Sequence, residues 1–152
     1  MNKTSRALPS FTASLSFSEQ HGALATLTEI TGRVLLASLF LVSGLGKIGA
    51  YSGTVAYMAS GGLPEALLPL VVVTEILGAV AIVVGWKTRA VAVLLAAFTL
   101  LAAFIFHSNF ADPMQMVHFL KNVAIAGGLL LLAAHGPGPL SIDRHSADRR
   151  GS

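Results

Sequence analysis

The sequence predicts an all-α fold, an antiparallel bundle of four transmembrane helices. Three observations predict it. The 152-residue chain is 54% hydrophobic and only 11% charged, with a mean hydropathy of +0.74, whereas a soluble domain carries about 25% charge to coat its surface. Four apolar segments follow one another, each close to the roughly 17–25 residues that cross a hydrocarbon core. The third of them, AVAVLLAAFTLLAAFIF, is apolar on every face and lacks the polar stripe of a soluble surface helix. No two-residue alternation of the kind a transmembrane barrel needs is present.

Residues 1–28 are polar and rich in Ser and Thr. They hold no apolar stretch long enough for a signal peptide, and they read as a disordered cytoplasmic tail. An amphipathic surface helix around residues 11–17 is the alternative. The membrane domain spans residues 29–135, with spans at about 30–50, 67–86, 90–107 and 117–134. Arg33 and Lys47 bracket the uncharged part of span one and reach the interface on their long stems. Glu29 lies four residues before Arg33, a favourable helical pairing. The long loop after span one holds Gly61, Gly62 and Pro64 and has room for a short interfacial helix. The Trp86-Lys87-Thr88-Arg89 turn forces spans two and three into a hairpin. Gly136-Pro137-Gly138-Pro139 ends span four, and residues 136–152 read as a basic cytoplasmic tail.

Small residues mark the helix contacts, since they let backbones approach in lipid. They are Ser43, Gly44 and Gly46 in span one, Gly78 in span two, Ala92 and Ala96 in span three, and Ala124, Gly127 and Gly128 in span four.

Basic residues orient the bundle. Lys3, Arg6, Arg33, Lys87, Arg89, Arg144, Arg149 and Arg150 share one side; Lys47 and Lys121 lie toward the other. By the positive-inside rule both termini are cytoplasmic.

Several chemistries are excluded. The chain has no cysteine, which removes disulfides, thiolate nucleophiles and Cys-held zinc or iron–sulfur clusters. Dinucleotide and phosphate-loop signatures are absent, and nothing resembles a nucleic-acid module. What remains is a set of polar residues that a bilayer tolerates poorly. Glu75 lies about 12 Å from the outer end of span two at 1.5 Å per residue. Lys121, one turn into span four, is close enough in depth to pair with it, and Lys47 is a competing partner. His107, His118 and Asn122 gather at the same level, flanked by Tyr51 and Gln115. The inner half has no comparable set. No tight His spacing supports a metal. A proton relay or a quinone would use these same groups, and a purely structural ion pair would too.

The run FLVSGLGKI (residues 40–48), Glu75-x-x-Gly78, Phe106-His107, FLKNVAIAGGLLLL (residues 119–132) and GPGPLSID (residues 136–143) together resemble the DoxX family of small bacterial membrane proteins. The resemblance covers about residues 32–143. The family's second-helix pattern often reads E-x-x-G-G, and here Ala79 stands in the second Gly place. The resemblance implies a four-helix inner-membrane protein linked to redox assemblies, among them a thiosulfate–quinone oxidoreductase. On that basis the expected role is an accessory or interaction subunit of a redox-linked membrane assembly, leaning away from an enzyme. Its partners would be the lipid bilayer, a membrane or peripheral redox enzyme and a second copy of the chain. The alternatives are a subunit binding quinone or a small substrate at the outer-half cluster, and a small-solute or proton carrier.

Overall fold

The computed structural model describes the backbone of residues 11–149 and the side chains of residues 22–149. Among them the chain forms α1 (Phe11–Gly49), α2 (Tyr51–Ser60), a 3-10 turn (Glu65–Leu67), α3 (Leu68–Val84), α4 (Thr88–Phe106), α5 (Pro113–His135) and α6 (Ile142–Asp148). Four stretches are long and apolar enough to cross a membrane: Gly22–Gly49, Glu65–Val84, Thr88–Phe106 and Pro113–His135. The expected all-α four-helix bundle is the fold.

Two boundaries differ from expectation. Helix α1 starts at Phe11, so residues 11–28 are helical instead of a disordered tail; residues 1–10 lie outside the described residues. Helix α5 starts four residues earlier than the apolar run, because the Asp112 carboxylate accepts a hydrogen bond from the Met114 N–H at 2.8 Å and Pro113 presets the first turn. The interfacial segment after α1 is indeed helical, as α2.

Packing follows the small residues. Helix α1 lies closely on α3 and α4 lies closely on α5, while α1 and α5 barely touch. A Cβ on Gly44 would come 2.8 Å from Ile76 Cγ1, and one on Gly78 would come 2.9 Å from Leu95 Cδ2. Both glycines thus set how near the helices approach. Ala37, Phe40, Ala79, Ile82, Ala92, Leu95, Ala96, Ala126 and Leu129 form the buried core. Gly46 and Gly127 meet no neighbour, and Ala124 is exposed, so these three small residues do not mark contacts within the chain.

The segment after α5 is a strap across one end of the bundle. Gly136 and Gly138 have positive φ, 87° and 83°, and turn the chain back. Arg33, 3% exposed, donates from Nη2 to the Leu140 carbonyl at 2.8 Å. It pairs neither with Glu29 nor with the interface, because the strap covers it. Asp143 accepts from the Lys87 and Thr88 N–H groups at 2.7 and 2.8 Å, and its own N–H donates to the Gly85 carbonyl at 2.9 Å. Helix α3 ends at Gly85 in the left-handed region, with Trp86 N–H reaching back to Ala81; this is the Schellman pattern. Lys87, at φ 44°, precedes α4 with no side-chain cap of its own. Asp143 supplies that cap from the far end of the chain.

Candidate functional site

Ser43 and Lys47 stand four residues apart on α1 and so share one face. That face meets Glu75 of α3, and Gly44 between them lets the two helices close. Lys47 Nζ lies 2.8 Å from both Glu75 oxygens and donates to Ser43 Oγ at 2.6 Å. Ser43 in turn donates to Glu75 Oε1 at 3.0 Å. Glu75 is 4% exposed.

Sequence reasoning expected Glu75 to pair with Lys121, and this is corrected. Rise per residue gives depth along a helix but no direction around it. In the bundle α4 stands between α3 and α5, so the partner at the right depth and direction comes from α1. Lys121 is exposed and its nearest polar contact is His118 Nδ1 at 3.4 Å.

Lys121 nevertheless belongs to the same site. A cavity of about 620 Å³ is lined by Ser43 and Lys47 of α1, Thr74 and Glu75 of α3, Thr99 and His107 from the α4 side, and Lys121 and Asn122 of α5. Its walls are apolar: Phe40, Leu94, Phe98, Leu101 and Ile105. Tyr57 and Met58 of α2 also line it, so α2 closes one end. Tyr57 stacks on Phe106 with centroids 4.6 Å apart. The volume suits a small ligand, for which pockets run from about 300 to 1,000 Å³.

At the rim, His107 Nδ1 donates to Gln115 Oε1 at 2.7 Å, since an amide oxygen only accepts. The His118 ring lies 5.1 Å from that of His107, tilted by 36°. Phe119 packs edge-on against Phe104 and Phe110, fixing the adjoining ends of α4 and α5. Among the described residues no three His, Asp or Glu groups converge as a ligand set for a metal.

Five of the six residues singled out in the sequence thus line one cavity, and His118 stacks beside it. Sequence reasoning missed Ser43, Thr74, Thr99 and Tyr57 as lining residues. Ser43 was read as packing alone, although its four-residue spacing from Lys47 placed both on one face. Thr99 is occupied within its own helix, donating to Leu95 O at 2.7 Å.

The DoxX family profile matches residues 22–108, which includes the Ser43–Lys47–Glu75 triangle and His107. The chain belongs to the DoxX family. It is 50% identical over 115 residues to Inner membrane protein YqjF of Escherichia coli (strain K12), covering 76% of this chain and 88% of the relative. It is 40% identical over 130 residues to Inner membrane protein YphA of the same organism, covering 81% and 93%. A shorter match, 37% over 73 residues, covers 48% of this chain and 54% of CatD of Bacillus subtilis (strain 168), a protein named as a candidate oxidoreductase. No solved structure gives a significant match. The DoxX match ends at residue 108, so Lys121, Asn122 and the strap lie beyond it.

Proposed function

We propose that this DoxX protein is a multi-pass inner-membrane subunit, with both termini cytoplasmic, that holds a small amphipathic molecule of the quinone kind in service of a redox-linked membrane assembly. The observation that carries the reading is the cavity itself. It joins apolar walls to a hydrogen-bonded Ser43–Lys47–Glu75 triangle, in which Glu75 is buried and the other two half-buried, and to a histidine rim. Apolar walls fit a ring or an acyl tail; the polar groups fit a carbonyl or hydroxyl head. The inner-membrane names of YqjF and YphA support the location, and the naming of CatD supports a redox setting. The chain's own residues bind and orient. In this reading the electrons come from a partner enzyme.

The test is to purify the protein in mild detergent, extract it with organic solvent, and identify what came with it by mass spectrometry. The expected result is a stoichiometric quinone or similar amphiphile in the wild type that is lost in Ala102→Phe, which fills the cavity from α4 while leaving the triangle intact. An amphiphile content equal in both proteins, at the level of bulk lipid carry-over, would overturn the reading.

A further inference from the structure

We infer that the cavity selects amphiphiles whose head carries a single negative charge on oxygen. This inference rests on the reading of the cavity as a ligand site, and it narrows the class of ligand.

Charge and hydrogen bonding around the cavity lead to it. The lining residues include one acid, Glu75, and two cations, Lys47 and Lys121. Lys47 uses all three of its ammonium protons within the chain, two on Glu75 and one on Ser43. That pair is therefore neutral and closed, with no donor left for a ligand. Lys121 is in the opposite condition. Among the described residues no carboxylate lies within ion-pair distance of it, and His118 Nδ1 at 3.4 Å is a long contact. Counting these three formal charges, the lining carries a net charge of +1.

An uncompensated ammonium beside apolar walls attracts an opposite charge. It repels a cationic head, and a neutral head leaves its charge unanswered. Asn122, the next residue on α5, lines the cavity too and adds an amide donor for the second oxygen of the head. Phe98 and Leu101 take the body. Two kinds of molecule share this chemistry, a single-chain carboxylate and an acidic hydroxyquinone in its enolate form.

The experiment measures saturable binding to the protein in nanodiscs of phosphatidylcholine, whose net charge is zero, with empty nanodiscs subtracted. The probes are dodecanoate, dodecanol and dodecylammonium, and an alkyl hydroxynaphthoquinone against its methyl ether. We expect dodecanoate to bind at least ten-fold more tightly than dodecanol, and dodecylammonium not to saturate. If the hydroxynaphthoquinone exceeds dodecanoate, the quinone source is favoured; the reverse order favours the carboxylate source. Lys121→Met should bring dodecanoate down to the affinity of dodecanol, and Lys121→Arg should restore the preference. Lys121 is exposed, so an unchanged unfolding profile is expected for both variants. Equal binding of dodecanoate and dodecanol, or a preference that survives Lys121→Met, would overturn the inference and leave the cavity reading standing. Absence of saturable binding for every probe would overturn the cavity reading itself.

Discussion

Lys47 Nζ sits 2.8 Å from each oxygen of Glu75, and this bidentate contact ties α1 to α3 at membrane depth. A buried charge such as that of Glu75 is costly in that environment without a partner. Removing one member strands the other, which costs about 3–5 kcal/mol for a buried pair. Glu75→Gln and Lys47→Met should each lower the unfolding temperature in detergent sharply. The double variant should recover much of the loss, giving a large coupling energy in the cycle. Glu75→Gln combined with Lys121→Met should be additive. Coupling to Lys121 in place of Lys47 would contradict the structure.

Asp143 caps α4 across the turn, and its loss should matter although it lies near the chain's end. Asp143→Ala should cost about 1 kcal/mol, the usual worth of a helix cap. Burial pushes the Asp143 carboxyl up, but the N–H donors of Thr88 and Lys87 more than offset this and hold it below the ordinary value. A lowered folded pKa stabilises fully above the unfolded value of about 3.9 and is lost as pH falls through the folded value. The difference in unfolding temperature between wild type and Asp143→Ala should thus be constant near neutral pH and shrink below about pH 4. A difference that grows on acidification would refute the assignment.

Gly78 and Gly127 should respond oppositely to alanine. At Gly78 the new methyl would meet Leu95 at 2.9 to 3.3 Å, and Leu95 is fully buried. Overpacking of this kind costs about 1–3 kcal/mol. Gly127 faces open space, so alanine there should be neutral or stabilise by up to about 1 kcal/mol through helix propensity. Thermal unfolding of the two variants in one detergent checks the contrast.

The proposed orientation places Ser152 in the cytoplasm and the α4–α5 loop in the periplasm. Alkaline phosphatase fused within residues 108–112 should be active, and fused after Ser152 it should be inactive. The opposite pattern would invert the bundle.

The four spans, their order and the polar level were legible because each depends on local composition. A bilayer demands long apolar helices, so 54% hydrophobic content and regular interruptions by Trp86–Arg89 and Gly136–Pro139 fix the architecture. Depth was legible too: Glu75, Lys47, His107, Lys121 and Asn122 meet at one cavity. Direction around the helix axis was not. It decides that Glu75 faces α1 and not α5, and it depends on which helices are neighbours. The strap was illegible for a related reason. Gly-Pro repeats announce a turn, but nothing local says that Asp143 returns to cap a helix that begins 55 residues earlier. The start of α1 was missed because Ser and Thr lower local hydropathy without preventing helix.

The most direct test of the cavity reading uses the absence of native cysteine. Ala102→Cys places a single thiol on the cavity wall, in the otherwise cysteine-free protein. Its rate of labelling by a membrane-permeant maleimide should fall several-fold when a short-chain ubiquinone analogue or dodecanoate is added. A lipid-facing control, Leu131→Cys, should be unaffected. Equal labelling rates at Ala102→Cys with and without both compounds, up to saturation of the nanodisc, would contradict the claim that this cavity holds an amphiphile.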